Sequence, residues 1–124
     1  MASFAHSSPL VERTKAFALR VIRLVESLPR TRTAEVVGRQ LLRSATSVAA
    51  NYRAAQRGRS RAEFLAKLGI VEEESDESTF WLEILRDSGV IKPQKLELLI
   101  AESNEITAII VASIRAARSR SKAK

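Results

Sequence analysis

A stripe of arginines along one predicted helix is the feature of this chain best suited to chemistry. Its members are Arg39, Arg43, Arg53 and Arg57. At roughly 100° per residue they project within roughly 40° of one direction. The small residues Thr46 and Ala50 lie between them. Guanidinium groups bind phosphate through paired N–H groups, and several in a row give affinity for a nucleic-acid backbone without reading its sequence. The stripe therefore predicts a surface that a phosphate backbone can approach closely.

Further basic residues extend this predicted surface. Arg59 and Arg61 continue it into the following loop, and the C-terminal segment adds Arg115, Arg118, Arg120, Lys122 and Lys124. Few aromatic residues lie among these cations, and Tyr52 is expected in the core, so stacking on bases is disfavoured. We predict that these residues bind the backbone and shape of RNA or DNA.

A second interpretation makes the arginine stripe structural. The next predicted helix carries acids on an arc roughly 80–140° from its buried face. These acids are Glu72, Asp76, Glu83 and Asp87. If the acidic and basic faces meet, within one subunit or between two, the arginines form ion pairs and the protein is an interaction scaffold. The sequence leaves both interpretations open.

The remaining polar residues do not form a recognisable catalytic or metal site. The single histidine, His6, lies near the N-terminus, and the acids of residues 72–77 point mostly away from the predicted core. Ser75 and Ser78 face the core without a base nearby in the sequence, so we expect them to bond back to backbone carbonyls. We expect the same of Asn51, beside the basic stripe. Because the chain also lacks cysteine and a glycine-rich phosphate loop, we predict no metal, no cofactor and no enzymatic activity.

Charge is segregated along the chain. Residues 1–61 carry twelve Lys or Arg against three Glu, residues 62–112 carry four against eleven acids, and residues 113–124 carry five and no acid. The net charge of +7 thus combines a basic arm, an acidic middle and a basic tail. This pattern favours binding to a polyanion and assembly through complementary faces. The lack of cysteine fits a reducing cytoplasm, and no stretch approaches the roughly eighteen uncharged apolar residues of a membrane span.

Four segments of helical periodicity are predicted, over residues 10–28, 33–57, 60–89 and 93–118. Thr33 is the candidate N-cap of the second segment. Ser60 and Glu63 form a capping box at the start of the third, and Gly89 suits the left-handed position after its end. Pro93 opens the fourth. Long helices with short loops predict a single-domain, all-α, up-down-up-down antiparallel four-helix bundle over residues 10–118, with a flexible lead at 1–9 and a basic tail at 119–124.

Each predicted helix has one apolar stripe for the core, within residues 10–28, 41–55, 64–85 and 96–117. The third and fourth helices also carry apolar residues outside that stripe, namely Ile70, Trp81, Ile84, Leu98 and Ile109. These residues either widen the core face or form an interface between copies of the chain, where tryptophan is enriched. We predict the interface, and with it a homo-oligomer that closes as a ring or a dimer.

Two motifs in the middle of the chain carry a resemblance to a known family. They are Ser-Val-x-x-Asn at residues 47–51 and Arg-Ser-x-x-Glu-Phe at residues 59–64, and the similarity extends over residues 10–118. The chain resembles the bacterial four-helix-bundle proteins encoded within intervening sequences of large-subunit ribosomal RNA genes. This resemblance implies a homopentameric barrel of bundles, with a basic surface or channel and no established catalytic activity. Arg53 stands where many members have a small residue, so this chain departs from them toward greater basicity.

The resemblance also implies partners. Relatives of the family include the accessory variability protein of diversity-generating retroelements, which works with a reverse transcriptase and nucleic acid. The implied partners are therefore further copies of the chain, RNA or DNA, and a protein such as a reverse transcriptase. Nothing in the sequence indicates a retroelement context, and we assign none.

Overall fold

Four long helices make up nearly all of the structure. The computed structural model describes residues 8–122, which form α1 (Pro9–Glu26), α2 (Arg32–Gln56), α3 (Arg61–Asp87) and α4 (Gln94–Lys122). No strand occurs in this part of the chain, so the predicted all-α class is confirmed. Residues 1–7 of the predicted lead and residues 123–124 of the predicted tail lie outside the described residues.

The first two helices begin at capping side chains that differ from the prediction. The hydroxyl of Ser8 accepts a hydrogen bond from the N–H of Leu10 at 3.1 Å, so α1 begins at Pro9. Thr33 was the predicted N-cap of α2, and this is wrong. Thr31 is the cap and accepts from the N–H of Ala34 at 3.2 Å. Because α2 begins at Arg32, Thr33 already lies inside the helix.

The start and the end of α3 follow the sequence signals. The hydroxyl of Ser60 accepts from the N–H of Glu63 at 3.1 Å, as a capping box requires. The Glu63 carboxylate returns its bond to the N–H of Arg59, at 3.0 Å, one residue earlier than in the standard box. Gly89 has a φ of 76°, which confirms the left-handed position after the helix.

The core lies between the four apolar stripes that the spacing predicted. The largest fully buried side chains include members of every helix, among them Phe17, Leu41, Leu82 and Ile110. Consecutive helices pack side by side, whereas α1 and α4 adjoin over a much smaller area. Arg13 spans that narrow contact, since its guanidinium bonds Glu102 at 2.7 and 2.8 Å and Glu105 at 2.7 Å.

Three pairs of hydroxyl groups lie within this core and join α3 to its neighbours. Ser78 bonds Ser44 of α2 at 3.0 Å, and Ser75 and Thr79 bond Thr107 and Ser103 of α4, each at 2.6 Å. Ser75 and Ser78 also donate to carbonyls of their own helix, as predicted. Among the side chains of residues 8–120, no buried nitrogen or oxygen lacks a partner. The polar atoms of the core are therefore satisfied internally.

Candidate nucleic-acid interface

The antiparallel topology brings basic residues from three helices to one end of the bundle. At this end, the C-termini of α2 and α4 lie beside the N-terminus of α3. The hydrogen bond from Nη1 of Arg61 to the carbonyl of Ala117, at 3.1 Å, shows this placement. The start of α1 is at the same end, since the Tyr52 hydroxyl donates to the hydroxyl of Ser8 at 3.1 Å. We call this region the basic end, and it comprises Arg53, Arg57, Arg59, Arg61, Arg115, Arg118 and Arg120.

Six of the seven guanidinium groups at the basic end are exposed and have no partner among the described residues. They are those of Arg53, Arg57, Arg59, Arg115, Arg118 and Arg120. The acids in the terminal turns here are Glu12 and Glu63, and the carboxylate of Glu63 already accepts the N–H of Arg59. The seven arginines outnumber these two carboxylates, so this end carries a net positive charge.

A shallow groove between α1 and α2 opens beside Arg53. Its volume is about 530 Å³, and its lining includes Lys15, Ala18, Thr46, Ala49 and Ala50. The Thr46 hydroxyl is turned back onto its own helix, where it donates to the carbonyl of Leu42 at 2.7 Å. The residues between Lys15 and Arg53 are small, which leaves both cations accessible from the groove, although the carboxylate of Glu12 also lines it.

Arg43 differs from the rest of the predicted stripe because it is paired. Its guanidinium bonds Glu74 at 3.3 Å and also bonds Glu77, and these contacts raise the pKa of Arg43, the bond to Glu77 having the largest effect. The predicted partners were four other acids of α3. Glu74 and Glu77 lie on the side of α3 that faces α2, whereas Asp87, one of the predicted four, pairs with its neighbour Arg86 at 2.8 Å.

The remaining predicted phosphate contacts fall in different places. Arg39 is exposed near the opposite end of the bundle, beside a groove of about 450 Å³ that also touches Pro29 and Gly38. Arg61 is half-buried, and its guanidinium bonds the carbonyl of Ala117. The structure therefore brings seven of the nine predicted arginines together and leaves Arg39 and Arg43 away from them.

The predicted interface residues also divide into two groups. Trp81, Ile84 and Ile109 are half-buried and pack against the edge of the core. Ile70 and Leu98 are exposed, with 37% and 73% of their surface accessible. The prediction missed Phe80, which is 49% exposed and packs edge-to-face on Trp81 with ring centroids 4.8 Å apart. The sequence signal that could have identified Phe80 is its position next to the only tryptophan.

Other polar groups of the described residues serve the fold. Asn51 donates to the carbonyl and the hydroxyl of Ser47 at 3.0 and 2.9 Å, as predicted. In residues 8–122 no group of three or more His, Cys, Asp or Glu side chains is placed to hold a metal ion. None of the helices in this range is long and apolar enough to cross a membrane. His6, the single histidine, lies outside the described residues.

Comparison with known proteins identifies the family. The family described as 23S rRNA-intervening sequence protein matches residues 8–112. The chain belongs to this family. The resemblance carried by the two sequence motifs is thus confirmed.

One solved structure shows how a relative within this fold is described. It is a crystal structure of a protein with unknown function from the S23 ribosomal protein family of Bacteroides thetaiotaomicron. That chain is 34% identical to this one, with a TM-score of 0.78, and the match covers 84% of this chain and 96% of that chain. No curated protein matches. Neither the family's description nor that of the solved structure names an enzymatic activity.

Proposed function

We propose that this protein is a non-enzymatic, self-associating four-helix bundle that binds the phosphate backbone of RNA or DNA through its basic end. One observation carries the proposal: six exposed arginines from α2, α4 and the loop before α3 lie at one end of the bundle without acidic partners among the described residues. Such a cluster binds phosphates and releases the counterions condensed on them.

The chemistry of the basic end favours backbone contacts over base contacts. Arginine binds phosphate with two parallel N–H groups, and the small residues beside Arg53 allow a close approach. Tyr52, the aromatic residue of α2, is buried and bonded to Ser8, so it offers no ring for stacking. We therefore expect affinity that depends strongly on salt and weakly on nucleotide sequence.

Self-association is the second part of the proposal. Phe80 and Ile70 expose apolar surface on α3, and that helix carries a run of acids between them. Exposed apolar residues beside acids suit a partner face that is apolar and basic, and Leu19 and Lys15 of α1 provide both features. Because α1 and α3 are not adjacent in the bundle, contacts of α3 with α1 of the next copy would be head-to-tail, as in a ring.

A protein-interaction scaffold is the alternative function, and Arg43 favours it. This arginine is held by Glu74 and Glu77, as a structural ion pair would be. In that alternative the basic end binds the acidic α3 face of another copy, and nucleic acid plays no part.

The experiment that tests the proposal compares two variants with equal loss of charge. One is Arg53→Gln with Arg57→Gln and Arg118→Gln at the basic end. The control is Arg23→Gln with Arg30→Gln and Arg32→Gln, which are exposed arginines without partners toward the opposite end. Binding to a short RNA duplex and a short DNA duplex is measured over a salt series, with the mass in the same buffers taken from light scattering.

The proposed function predicts a wild-type log–log salt slope of about −4 or steeper. The basic-end variant should lose about 2 to 3 units of that slope, roughly 0.9 for each phosphate contact removed from B-DNA, while the control keeps most of it. If both variants lose the same amount of slope, the nucleic acid responds to the net charge of the protein rather than to the basic end. A flat wild-type slope with an intact oligomer would favour the scaffold.

A further inference from the structure

Arg61 behaves differently from every other arginine at the basic end. It is the first residue of α3 and is half-buried, and its Nη1 donates to the carbonyl of Ala117 in α4 at 3.1 Å. A carbonyl oxygen can accept a second hydrogen bond besides that of its own helix, and carbonyls near a helix C-terminus carry partial negative charge. The guanidinium of Arg61 is therefore used within the fold, where a phosphate would have to compete with Ala117.

The backbone around Arg61 is fixed on both sides. Ser60 caps α3 through the N–H of Glu63, and Glu63 in turn binds the N–H of Arg59. Gly58 fits a tight connection in which an added Cβ would lie 3.2 Å from the carbonyl oxygen of Ala55. Arg61 thus extends toward α4 from a rigid corner, which reduces the conformational entropy lost when its side chain binds.

The last turn of α4 has little else to hold it. Ala117 is buried, but Arg118, Ser119 and Arg120 beyond it are exposed. Among the described side chains, Arg61 makes the hydrogen bond between α4 and another helix that lies nearest the C-terminus of α4. This terminal turn carries two of the arginines assigned to the phosphate site, and Arg115 lies in the turn just before it.

We infer that Arg61 is a positioning residue: it anchors the C-terminal turn of α4 and thereby holds Arg115, Arg118 and Arg120 beside the arginines of α2. This inference rests on the proposed function, because it assigns how that same site is assembled. It replaces the sequence-based expectation that Arg61 itself contacts phosphate. In this arrangement Arg61 positions the site through a bond within the fold, and the six exposed arginines bind the phosphates.

A mutant cycle on nucleic-acid binding separates positioning from direct contact. Arg61→Gln is compared with Arg59→Gln, which removes an exposed, unpartnered guanidinium two residues away. Both are also placed in a background with Arg115→Gln, Arg118→Gln and Arg120→Gln. Arg59→Gln should make the log–log salt slope shallower by about 0.9 unit in either background. In the wild-type background, Arg61→Gln should make the log–log salt slope shallower by more than about 0.9 unit. In the triple background, it should change the affinity by less than about twofold.

The opposite pattern would overturn the inference. If Arg61→Gln costs the same in both backgrounds, Arg61 contacts the phosphate itself or acts through general stability. Arg61→Lys should recover part of the binding lost in Arg61→Gln, because an ammonium group can also donate to the Ala117 carbonyl.

A second readout needs no nucleic acid. The chain contains no cysteine, so Ser119→Cys provides a unique site for a nitroxide label. The label should be ordered in the parent and in Arg59→Gln, and clearly more mobile in Arg61→Gln. Equal mobility in all three would refute the anchor. If the parent protein does not bind either duplex, the proposed function fails, while the label still decides whether Arg61 anchors the end of α4.

Discussion

The indole N–H of Trp81 donates to Oε2 of Glu77 at 3.0 Å, and the same oxygen accepts from Arg43. These bonds lower the pKa of Glu77, with the indole bond the largest cause. One carboxylate of α3 therefore joins an arginine that the sequence assigned to nucleic acid to a tryptophan that it assigned to an interface. A substitution of Glu77 therefore removes a hydrogen-bond partner of both Arg43 and Trp81.

Glu77→Gln should alter the emission of the only tryptophan while costing less than about 1 kcal/mol of unfolding free energy, because these ion-paired side chains are partly exposed. In the wild type the folded pKa of Glu77 is below its ordinary value of 4.5. Emission should stay constant above that value and change as the pH falls through the folded pKa. The variant should show no such step. Glu73→Gln, an exposed and unpaired neighbour, should keep the step; its loss there would contradict the assignment.

The contact of Arg13 with Glu102 should make the free energy of unfolding depend on pH in the acidic range. The hydrogen bond from Arg13 is the main cause that holds the pKa of Glu102 below 4.5. A depressed folded pKa means that the contribution is complete above about pH 4.5 and disappears as the pH falls through the folded value. Glu102→Gln should cost about 1–2 kcal/mol at pH 7, since the pair is only partly screened by solvent.

Denaturant unfolding of wild type and Glu102→Gln at pH 7 and at about pH 3 measures this effect. The difference between the two proteins should be smaller at the lower pH. A difference of equal size at both would mean that the carboxylate packs without contributing charge. Glu73→Gln is again the control, with no expected change at either pH.

Two glycines give opposite predictions for the same substitution. Gly89→Ala should destabilise by about 1–2 kcal/mol, because its φ of 76° is costly for an L side chain. Gly69→Ala should stabilise by about 0.5–1 kcal/mol, because Gly69 lies inside α3 and no heavy atom of another helix lies within 4 Å of an added Cβ. Urea midpoints of the two variants measure both, and a shared sign would contradict one assignment.

The hydroxyl pair of Thr79 and Ser103 should show energetic coupling. Thr79→Val and Ser103→Ala should each cost about 0.5–1.5 kcal/mol, because each removes the bond between the two hydroxyls while the remaining hydroxyl still donates to a carbonyl of its own helix. The double variant should cost less than the sum of the two, by about 0.5–1 kcal/mol. Unfolding of all four proteins under one condition gives the coupling, and strict additivity would show that the two hydroxyls act independently.

The periodicity of the sequence was sufficient to place the core. A stripe with steps of three and four residues can face only one way on a helix, so Val21, Leu41, Leu82 and Ile110 were all correctly assigned to the interior. The N-cap of α2 was less certain from sequence because Thr31 and Thr33 both have the required side chain. In the structure the hydroxyl of Thr31 accepts the N–H of Ala34, and Thr33 lies inside the helix.

Which charges remain free could not be read from one helix at a time. Arg43 is paired because the rotation of α3 presents Glu74 and Glu77 to α2, and the angle between two helices is fixed by the packing of their cores. The position of Arg57 and Arg118 at the same end of the bundle, in contrast, follows from the alternating direction of the helices. Arg61 was assigned to phosphate because its sequence neighbours are basic, and nothing local indicated that it reaches Ala117.

The three hydroxyl pairs of the core have a consequence for how this sequence can change. A slip of α3 by one helical turn, about 5.4 Å, would separate all three pairs at once. Exchanges between apolar side chains of similar volume cost little stability, whereas a substitution that removes one hydroxyl of a pair also removes the bond made by the other. Substitutions at the apolar positions can therefore accumulate singly. The paired positions are expected to change two at a time across the α2–α3 and α3–α4 contacts, so that covariation between Ser44 and Ser78 would reveal the register of the bundle.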